Sequence, residues 1–262
     1  MVVKKCIKDI KIGDMVLSFN QYGVCEPKEV SQVFDNGWQD TIEINTIHSN
    51  NLICTPTHKI FTQDGYKCGE QLNNTDVIMT PKRIRCITDN LLPNKHLSHN
   101  MLFLLGMLIG DGTLKNGDIR FTNCDIELIK IYQKFILEKH RHRYNNDIFQ
   151  IQSYQQKDYY KECFRIRIIN SNVQKSLCNW LQNYNLLCKS NQKAIPNEIM
   201  YYPIGNKIYG LLGGLFSTDG SCYKTYIQYA TMSKTLANQV SQLLLKCNIY
   251  NYIHIKKRCF FI

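Results

Sequence analysis

The sequence lacks any long apolar run and any recognisable export signal. No stretch of about 18 uncharged apolar residues occurs among its 262 residues, so no membrane span is expected. The first six residues include two lysines and lack the apolar centre of a signal peptide. We therefore expect an intracellular protein of the cytoplasm or the nucleus, not a secreted one, with no membrane partner.

Closely paired cysteines are also missing. The chain has 12 cysteines, but they are scattered, and no two of them form a Cys-x-x-Cys arrangement. This spacing gives little support to a zinc site. Because no export signal is present either, the pattern favours reduced thiols over disulfides.

Charge is divided unequally between the two parts of the chain. Residues 1–97 hold 11 Lys and Arg against 11 Asp and Glu, whereas residues 98–262 hold 21 against 10. The whole net charge of +11 therefore belongs to the second part. Nucleic acid is the natural polyanionic partner for such a segment. A generally basic soluble surface is the alternative, but it would not predict so clean a division.

Two similar segments occur at equivalent places in the second part. Residues 104–112 have the sequence Leu-Leu-Gly-Met-Leu-Ile-Gly-Asp-Gly, and residues 212–220 have the sequence Leu-Gly-Gly-Leu-Phe-Ser-Thr-Asp-Gly. Each is an apolar helical pattern in which small residues stand four positions apart. Small residues at this spacing lie on one helix face and allow two helix backbones to approach closely. The residues concerned are Gly106 and Gly110 in the first segment, and Gly214 and Thr218 in the second.

Each segment also ends in a carboxylate, Asp111 or Asp219. If the two helices cross, both carboxylates lie together at negative helix ends, and the site repels itself unless a cation occupies it. Carboxylate oxygens suit Mg²⁺. Two unrelated helices that each end at an Asp-Gly turn are the alternative. Because the pattern occurs twice, we expect a magnesium site.

In these segments the sequence resembles the LAGLIDADG (DOD-type) homing endonucleases, from about Asn100 nearly to its end. The resemblance implies a monomeric enzyme with two pseudo-symmetric αββαββα repeats, which cuts both strands of a long double-stranded DNA target. Asp111 and Asp219 would then be catalytic, and their Mg²⁺ ions would activate water and stabilise charge on the scissile phosphates.

Hydrophobic periodicity agrees with two repeats, at residues 100–203 and 204–262. The second copy is shorter, and we expect it to lack its final strand and helix. We also expect Asn100 to cap the first motif helix. In the first repeat, strands are predicted at 118–123, 147–154 and 162–169 and helices at 125–139 and 172–181. In the second, strands are predicted at 226–231 and 250–258 and a helix at 234–247, and a connector spans 189–203.

Several of these strands would carry a basic face. Arg165 and Arg167 alternate with apolar residues in one strand, and Tyr252 belongs to the basic face of the strand at 250–258. A curved sheet with a basic front can lie in a major groove. An ordinary half-solvated antiparallel sheet is the alternative. The predicted DNA-binding residues are Arg120, Arg165, Arg167, His254, Lys256 and Arg258.

The family resemblance also implies a catalytic lysine near each carboxylate. Lys256 or Lys257 resembles the late-strand lysine of the second repeat. In the first repeat, Lys157 and Lys161 are the nearest candidates. For each of these residues, a lysine on a solvated face is the alternative.

Residues 7–90 are predicted to form short β-strands separated by turns. Within them, Ile7–Leu17 and Asn51–Phe61 resemble two blocks of the intein splicing (Hint) domain. The resemblance implies that Thr55 and His58 would polarise and protonate a scissile amide. A structural histidine is the alternative. We assign 1–92 to a partial Hint-like β module and 93–99 to a linker.

The rest of the splicing machinery is not found. By the resemblance, Cys6 is too close to the turn at Gly13 to be the nucleophile, and the last residue, Ile262, is not the cyclising Asn of an intein. We therefore expect an α+β chain that cuts DNA and does not splice. A catalytically weak or inactive DNA-binding remnant of an intein is the main alternative, and an autoprocessing element is the other.

Overall fold

The computed structural model describes residues 6–20, 25–46, 52–79, 97–115, 118–139, 148–155, 162–202 and 204–262. Within these residues the chain is a mixture of helices and sheets, so the predicted α+β class is confirmed at that level. Most of the predicted linker, 93–99, lies outside the described residues. No helix in the described part is long and apolar enough to cross a bilayer.

The first part consists of three antiparallel hairpins. Its described apolar side chains are mostly exposed, including Phe34 and Trp38, whereas Ile60 is buried. Within the described residues, this part therefore has little core of its own. The strands are β1 (Met15–Phe19), β2 (Cys25–Glu29), β3 (Ile42–Ile44), β4 (Leu52–Cys54), β5 (Lys59–Thr62) and β6 (Gly65–Cys68).

The first unit, at residues 99–182, pairs one four-stranded sheet, called the first sheet, with three helices. Its strands follow the order β7-β8-β10-β9, and all neighbours are antiparallel. Its elements are α1 (His99–Asp111), β7 (Gly112–Lys115), β8 (Asp118–Asn123), α2 (Ile126–Lys139), β9 (Phe149–Gln155), β10 (Glu162–Ile168) and α3 (Ser171–Gln182).

The second unit, at residues 206–261, repeats this order of elements around a second sheet. Its sheet, β11-β12-β14-β13, has the same topology as the first. No counterpart of α3 follows within residues 204–262. Its elements are α4 (Asn206–Asp219), β11 (Gly220–Cys222), β12 (Ile227–Thr231), α5 (Lys234–Lys246), β13 (His254–Lys256) and β14 (Cys259–Phe261).

The single strand predicted at 250–258 is wrong. The chain reverses after Lys256, which pairs with Cys259 in a tight hairpin, and Lys257 has a φ of 57°. No glycine or asparagine stands at this turn to mark it in the sequence, and the alternation of polar residues continues through it. The final strand that we expected to be missing is therefore present as β14, and within residues 204–262 it is α3 that has no equivalent.

A buried apolar layer holds the first sheet against its helices. Phe121 of β8 stacks on Tyr132 of α2 with ring centroids 5.1 Å apart, and both side chains are fully buried. The cap of α1 is not Asn100, as predicted, but Ser98, whose hydroxyl accepts a hydrogen bond from the Met101 amide. Asn100 instead donates to Glu138 at the end of α2.

A disulfide joins Cys124 to Cys163 beside this sheet. The register that pairs Asn123 with Phe164 places these cysteines directly opposite each other. The expectation of reduced thiols is therefore wrong for this pair. Spacing along the chain could not reveal it, because strand pairing alone brings the two residues together.

Candidate active site at the crossed helices

Helices α1 and α4 contact each other backbone to backbone. A Cβ atom added at Gly106 would overlap the carbonyl oxygen of Leu211 and lie 2.8 Å from the Leu215 nitrogen. A Cβ at Gly214 would overlap the carbonyl oxygen of Phe103. Any side chain at either glycine would therefore push the helices apart.

One turn further along, Thr218 of α4 fits against Gly110 of α1. A Cβ at Gly110 would overlap the Thr218 hydroxyl. That hydroxyl donates to the carbonyl oxygens of Leu215, at 2.8 Å, and Gly214, at 3.2 Å, so it needs no partner from α1. The four predicted seam residues thus lie where the helices meet.

The crossing brings Asp111 and Asp219 close together, since each is the last residue of its helix. Burial, and after it the negative charge of Asp111, raise the pKa of Asp219 to about 7, while the charge of Lys193 opposes the rise. Burial also raises the pKa of Asp111, against a hydrogen bond from Asn123 and the charge of Lys193. Near neutral pH, the surroundings therefore disfavour the state in which both carboxyls are ionised.

The two carboxylates have unequal surroundings. The Asn123 side chain, at the end of β8, donates to Oδ2 of Asp111 at 2.6 Å. From the residues described, Asp219 receives no such hydrogen bond. The hydrogen bond from Asn123 lowers the pKa of Asp111 against the effect of burial, whereas at Asp219 the charge of Asp111 adds to the effect of burial.

Lys193 is the cation at this site. Its side chain is only 4% exposed, and its Nζ donates to the carbonyl oxygens of Ile109 at 2.7 Å, Gly110 at 2.9 Å and Gly112 at 2.8 Å. These carbonyls end α1 and carry its negative partial charge. Burial lowers the pKa of Lys193, whereas both carboxylates raise it.

A buried phenol completes the surroundings of the carboxylates. Burial, and then the charges of Asp219 and Asp111, raise the pKa of Tyr229. Its hydroxyl has no hydrogen-bond partner in the described structure. Sequence reasoning missed Asn123, Lys193 and Tyr229, because nothing in their spacing relates them to the two motifs.

The predicted catalytic lysines of the second repeat lie at the hairpin of β13 and β14. Lys256 is exposed on β13, and Lys257 forms the turn that follows. Neither makes a contact with Asp111 or Asp219 in the part of the chain that the structure describes. The other candidates, Lys157 and Lys161, lie outside the described residues.

The polar face of the first sheet carries the predicted arginines. Arg167 pairs with Arg120 across β8 and β10. Arg120 makes an ion pair with Asp118 at 2.6 Å, and the same carboxylate lies 3.5 Å from Arg167. The Arg165 guanidinium lies over the Tyr154 ring, 5.1 Å from its centroid. All three arginines thus lie on one face, and Asp118 partly neutralises two of them.

The second sheet carries fewer basic residues. His254 stacks on Phe261, with centroids 5.1 Å apart, and Lys256 is exposed beside it on the edge strand. Arg258 lies in the turn between β13 and β14 and not on a strand face, which corrects its predicted position.

Thr55 and His58 of the predicted splicing block lie in the turn between β4 and β5. The Thr55 carbonyl oxygen accepts a hydrogen bond from the His58 amide at 3.0 Å. The His58 side chain is exposed. This placement leaves the splicing role of both residues a prediction.

Within the part of the chain that the structure describes, the two carboxylates are not joined by further side chains of the types that usually bind metals. Among the described residues, no group of three His, Cys, Asp or Glu side chains is close enough to hold a metal ion. A cation at Asp111 and Asp219 would therefore take its remaining ligands from water, carbonyl oxygens or phosphate. Mg²⁺ commonly binds in this way, through one or two carboxylates.

Residues 206–259 match the family model of the LAGLIDADG-like domain. This part of the chain, which contains α4, β11, β12, α5 and β13, is similar to that domain.

Two of the curated relatives are DnaB and RecA proteins. The chain is 30% identical over 234 residues to the replicative DNA helicase DnaB of Synechocystis sp.. This match covers 86% of this chain and 26% of that protein. It is 26% identical over 240 residues to the protein RecA of Mycobacterium tuberculosis. This match covers 87% of this chain and 28% of that protein. The chain thus spans about a quarter of the length of these relatives.

Among solved structures, the chain is similar to the homing endonuclease I-DmoI. The identity is 17% and the TM-score 0.40, over 62% of this chain and 86% of that chain. A structure of I-DmoI in complex with DNA and Mn gives the same identity and TM-score.

Proposed function

We propose that this chain is a monomeric, site-specific homing endonuclease of the LAGLIDADG type that cuts double-stranded DNA. The observation that carries the proposal is the pair of partly buried carboxylates at the ends of two crossed helices. Burial and mutual repulsion both disfavour their ionised forms, so the pair adds nothing to stability. Strongly perturbed acids in such a place are characteristic of functional sites.

We assign Asp111 and Asp219 as the ligands of Mg²⁺. The residues fit this ion, because two hard oxygen donors lie together and their negative charge is only partly balanced by Lys193. When bound, Mg²⁺ would lower the pKa of bound water and stabilise negative charge on the scissile phosphate. Asn123 donates a hydrogen bond that orients Asp111. The Lys193 amine donates its hydrogen bonds to the last carbonyl oxygens of α1, so both carboxylates remain free to bind a cation.

The partner that we propose is a long double-stranded DNA target. The excess of basic residues lies in 98–262, the part that contains the crossed helices. Phosphate neutralisation by such residues supplies most of the sequence-independent affinity. The arginine-bearing face of the first sheet would contact one half of the target, and the exposed His254 and Lys256 would contact the other.

We infer that the element originated as an intein. DnaB and RecA are differently named proteins, yet each matches most of this chain with only about a quarter of its own length. A segment of this kind is expected of an element that resides within several host proteins. The resemblance of Thr55 and His58 to a splicing block supports the same origin.

Cleavage of a supercoiled plasmid library in Mg²⁺ tests the nuclease proposal. We expect the parent chain to produce nicked or linear plasmid, and Asp111→Asn or Asp219→Asn to bind DNA while cleavage falls by orders of magnitude. Undiminished double-strand cutting by both variants would contradict the carboxylate mechanism. His58→Ala is the matched control, since it lies outside the cleavage site and should cut like the parent.

A DNA-binding remnant with weak or no cleavage is the second candidate. The shortness of β11, β13 and β14, with three residues each, favours it, because β9 and β10 in the first sheet have seven each. A shorter sheet makes fewer contacts with its half of the target. The same plasmid assay separates the candidates, since a remnant retards DNA on a gel in Mg²⁺ but leaves it supercoiled.

Mass analysis of the chain fused between two flanking peptides tests for splicing. We expect the fusion to remain intact. Ligated flanking peptides would instead favour an autoprocessing element.

A further inference from the structure

In the described residues of the connector between the two units, 183–202 and 204–205, no strand and no α-helix fixes the backbone. Its described elements are two short 3₁₀ turns, at Ser190–Gln192 and Ile199–Tyr201. Yet this segment delivers Lys193, whose Nζ makes three hydrogen bonds of 2.7–2.9 Å inside the first unit. Some other group must therefore hold the connector in place.

Gln239 of α5 holds it at Ile195, two residues beyond the lysine. The Gln239 Oε1 accepts from the Ile195 amide at 2.7 Å, and the Gln239 Nε2 donates to the Ile195 carbonyl oxygen, also at 2.7 Å. These are the two hydrogen bonds that a neighbouring strand would supply. The Ile195 side chain is buried in the core, which anchors the same residue from its other side.

We propose that Gln239 is a positioning residue through which the second unit places Lys193 against the end of α1 in the first. The inference rests on the proposed nuclease function for its effect on cleavage, but not for its effect on Lys193 itself. A buried ammonium group keeps its place only while its hydrogen bonds compensate for lost hydration. If the connector shifts by about 1 Å, the amine moves towards water, and rate losses of about 100-fold follow misplacements of this size.

A merely structural role for Gln239 is the competing explanation, and a control on the same helix separates the two. Gln242 lies one turn later on α5 and is exposed. Gln239→Leu removes both hydrogen bonds to Ile195 at nearly constant volume. Gln242→Leu makes the same chemical change and leaves both hydrogen bonds between Gln239 and Ile195 in place. Gln239→Glu is the second variant, since it still accepts from the Ile195 amide but cannot donate to its carbonyl oxygen.

Reductive methylation with formaldehyde and borohydride, read by mass spectrometry at Lys193, tests the proposal without any nuclease assay. In the parent chain and in Gln242→Leu, we expect Lys193 to be protected. In Gln239→Leu it should be methylated at least 10-fold faster, with Gln239→Glu in between. If Gln239→Leu does not fold, Gln239→Glu alone decides the outcome. Protection equal to that of the parent in every folded Gln239 variant would overturn the proposal.

A double-mutant cycle in the cleavage assay gives the second test. We expect Gln239→Leu to slow cleavage about 100-fold in the parent but to add no further loss to Lys193→Met, because both changes remove the same amine from its place. Fully additive losses would overturn the proposal. If the parent does not cleave DNA, the nuclease proposal fails, and the methylation result still decides whether Gln239 positions Lys193.

Discussion

Replacing Asp219 with Asn should stabilise the chain when no divalent cation is present. The rise of the Asp219 pKa from 3.8 to about 7 corresponds to about 4 kcal/mol of interactions that disfavour the carboxylate. Asn removes the charge but leaves a polar amide partly buried, which costs about 1–3 kcal/mol if it finds no partner. We therefore expect a net gain of about 2 kcal/mol at pH 8, or roughly 4–8 °C in Tm.

The pH dependence of this gain follows from the direction of the pKa change. Between about pH 4 and pH 7, the folded chain keeps a proton at Asp219 that the unfolded chain has already released. The free energy of unfolding of the parent therefore falls as the pH rises through this range. Above it, the destabilisation caused by the ionised Asp219 is constant. The advantage of Asp219→Asn should thus be small near pH 4 and reach its full size above pH 7.

In the presence of Mg²⁺, the parent chain should be more stable than Asp219→Asn. A cation that binds only the folded parent adds about 2.7 kcal/mol of stability at 100 times its Kd, whereas the variant lacks one of the two carboxylates and should gain little. The assay is thermal melting at several pH values, with EDTA or with Mg²⁺. Exposed Asp40 supplies the control, Asp40→Asn, which should melt like the parent. A lower Tm for Asp219→Asn in EDTA at pH 8, or equal stabilisation of both proteins by Mg²⁺, would refute the reasoning.

Three further changes test other parts of the molecule. Gly106→Leu should lower stability by roughly 1–3 kcal/mol or more, because any side chain there overlaps α4; an unchanged Tm would contradict the backbone contact. Arg165→Gln should weaken DNA binding and reduce the slope of log K against log salt by about 1; Lys59→Gln, in the neutral part, should leave both unchanged in the same titration. Lys257→Gly should stabilise the β13–β14 hairpin by several tenths of a kcal/mol, because glycine adopts positive φ without steric cost; urea unfolding that shows a loss of stability would exclude this explanation.

Local periodicity was enough to predict much of the second part. The strand predicted at 118–123 is observed at those residues, and the helices predicted at 125–139 and 172–181 are observed within one residue of their ends. Helical and strand spacing are properties of neighbouring residues, so they can be recognised without knowledge of the fold. The small residues and the two carboxylates were recognised for the same reason, since each motif is contiguous.

The missed residues depend on contacts between distant segments. Lys193 reaches the end of α1 from a connector with no regular pattern, and Asn123 is oriented only by the pairing of its strand. Tyr229 looks like any aromatic residue in a buried strand. The turn at Lys257 was missed for another reason, because a lysine with positive φ is disfavoured and is held there by the strands on both sides.

The disulfide between Cys124 and Cys163 makes the first unit resistant to separation by proteolysis. It closes a loop across a sequence separation of 39 residues, which contains the whole of α2 and β9. If a protease cuts once within this loop, the two pieces remain covalently joined, so the protein migrates as one band on a non-reducing gel and as two after reduction. The integrity of a purified preparation must therefore be judged after reduction.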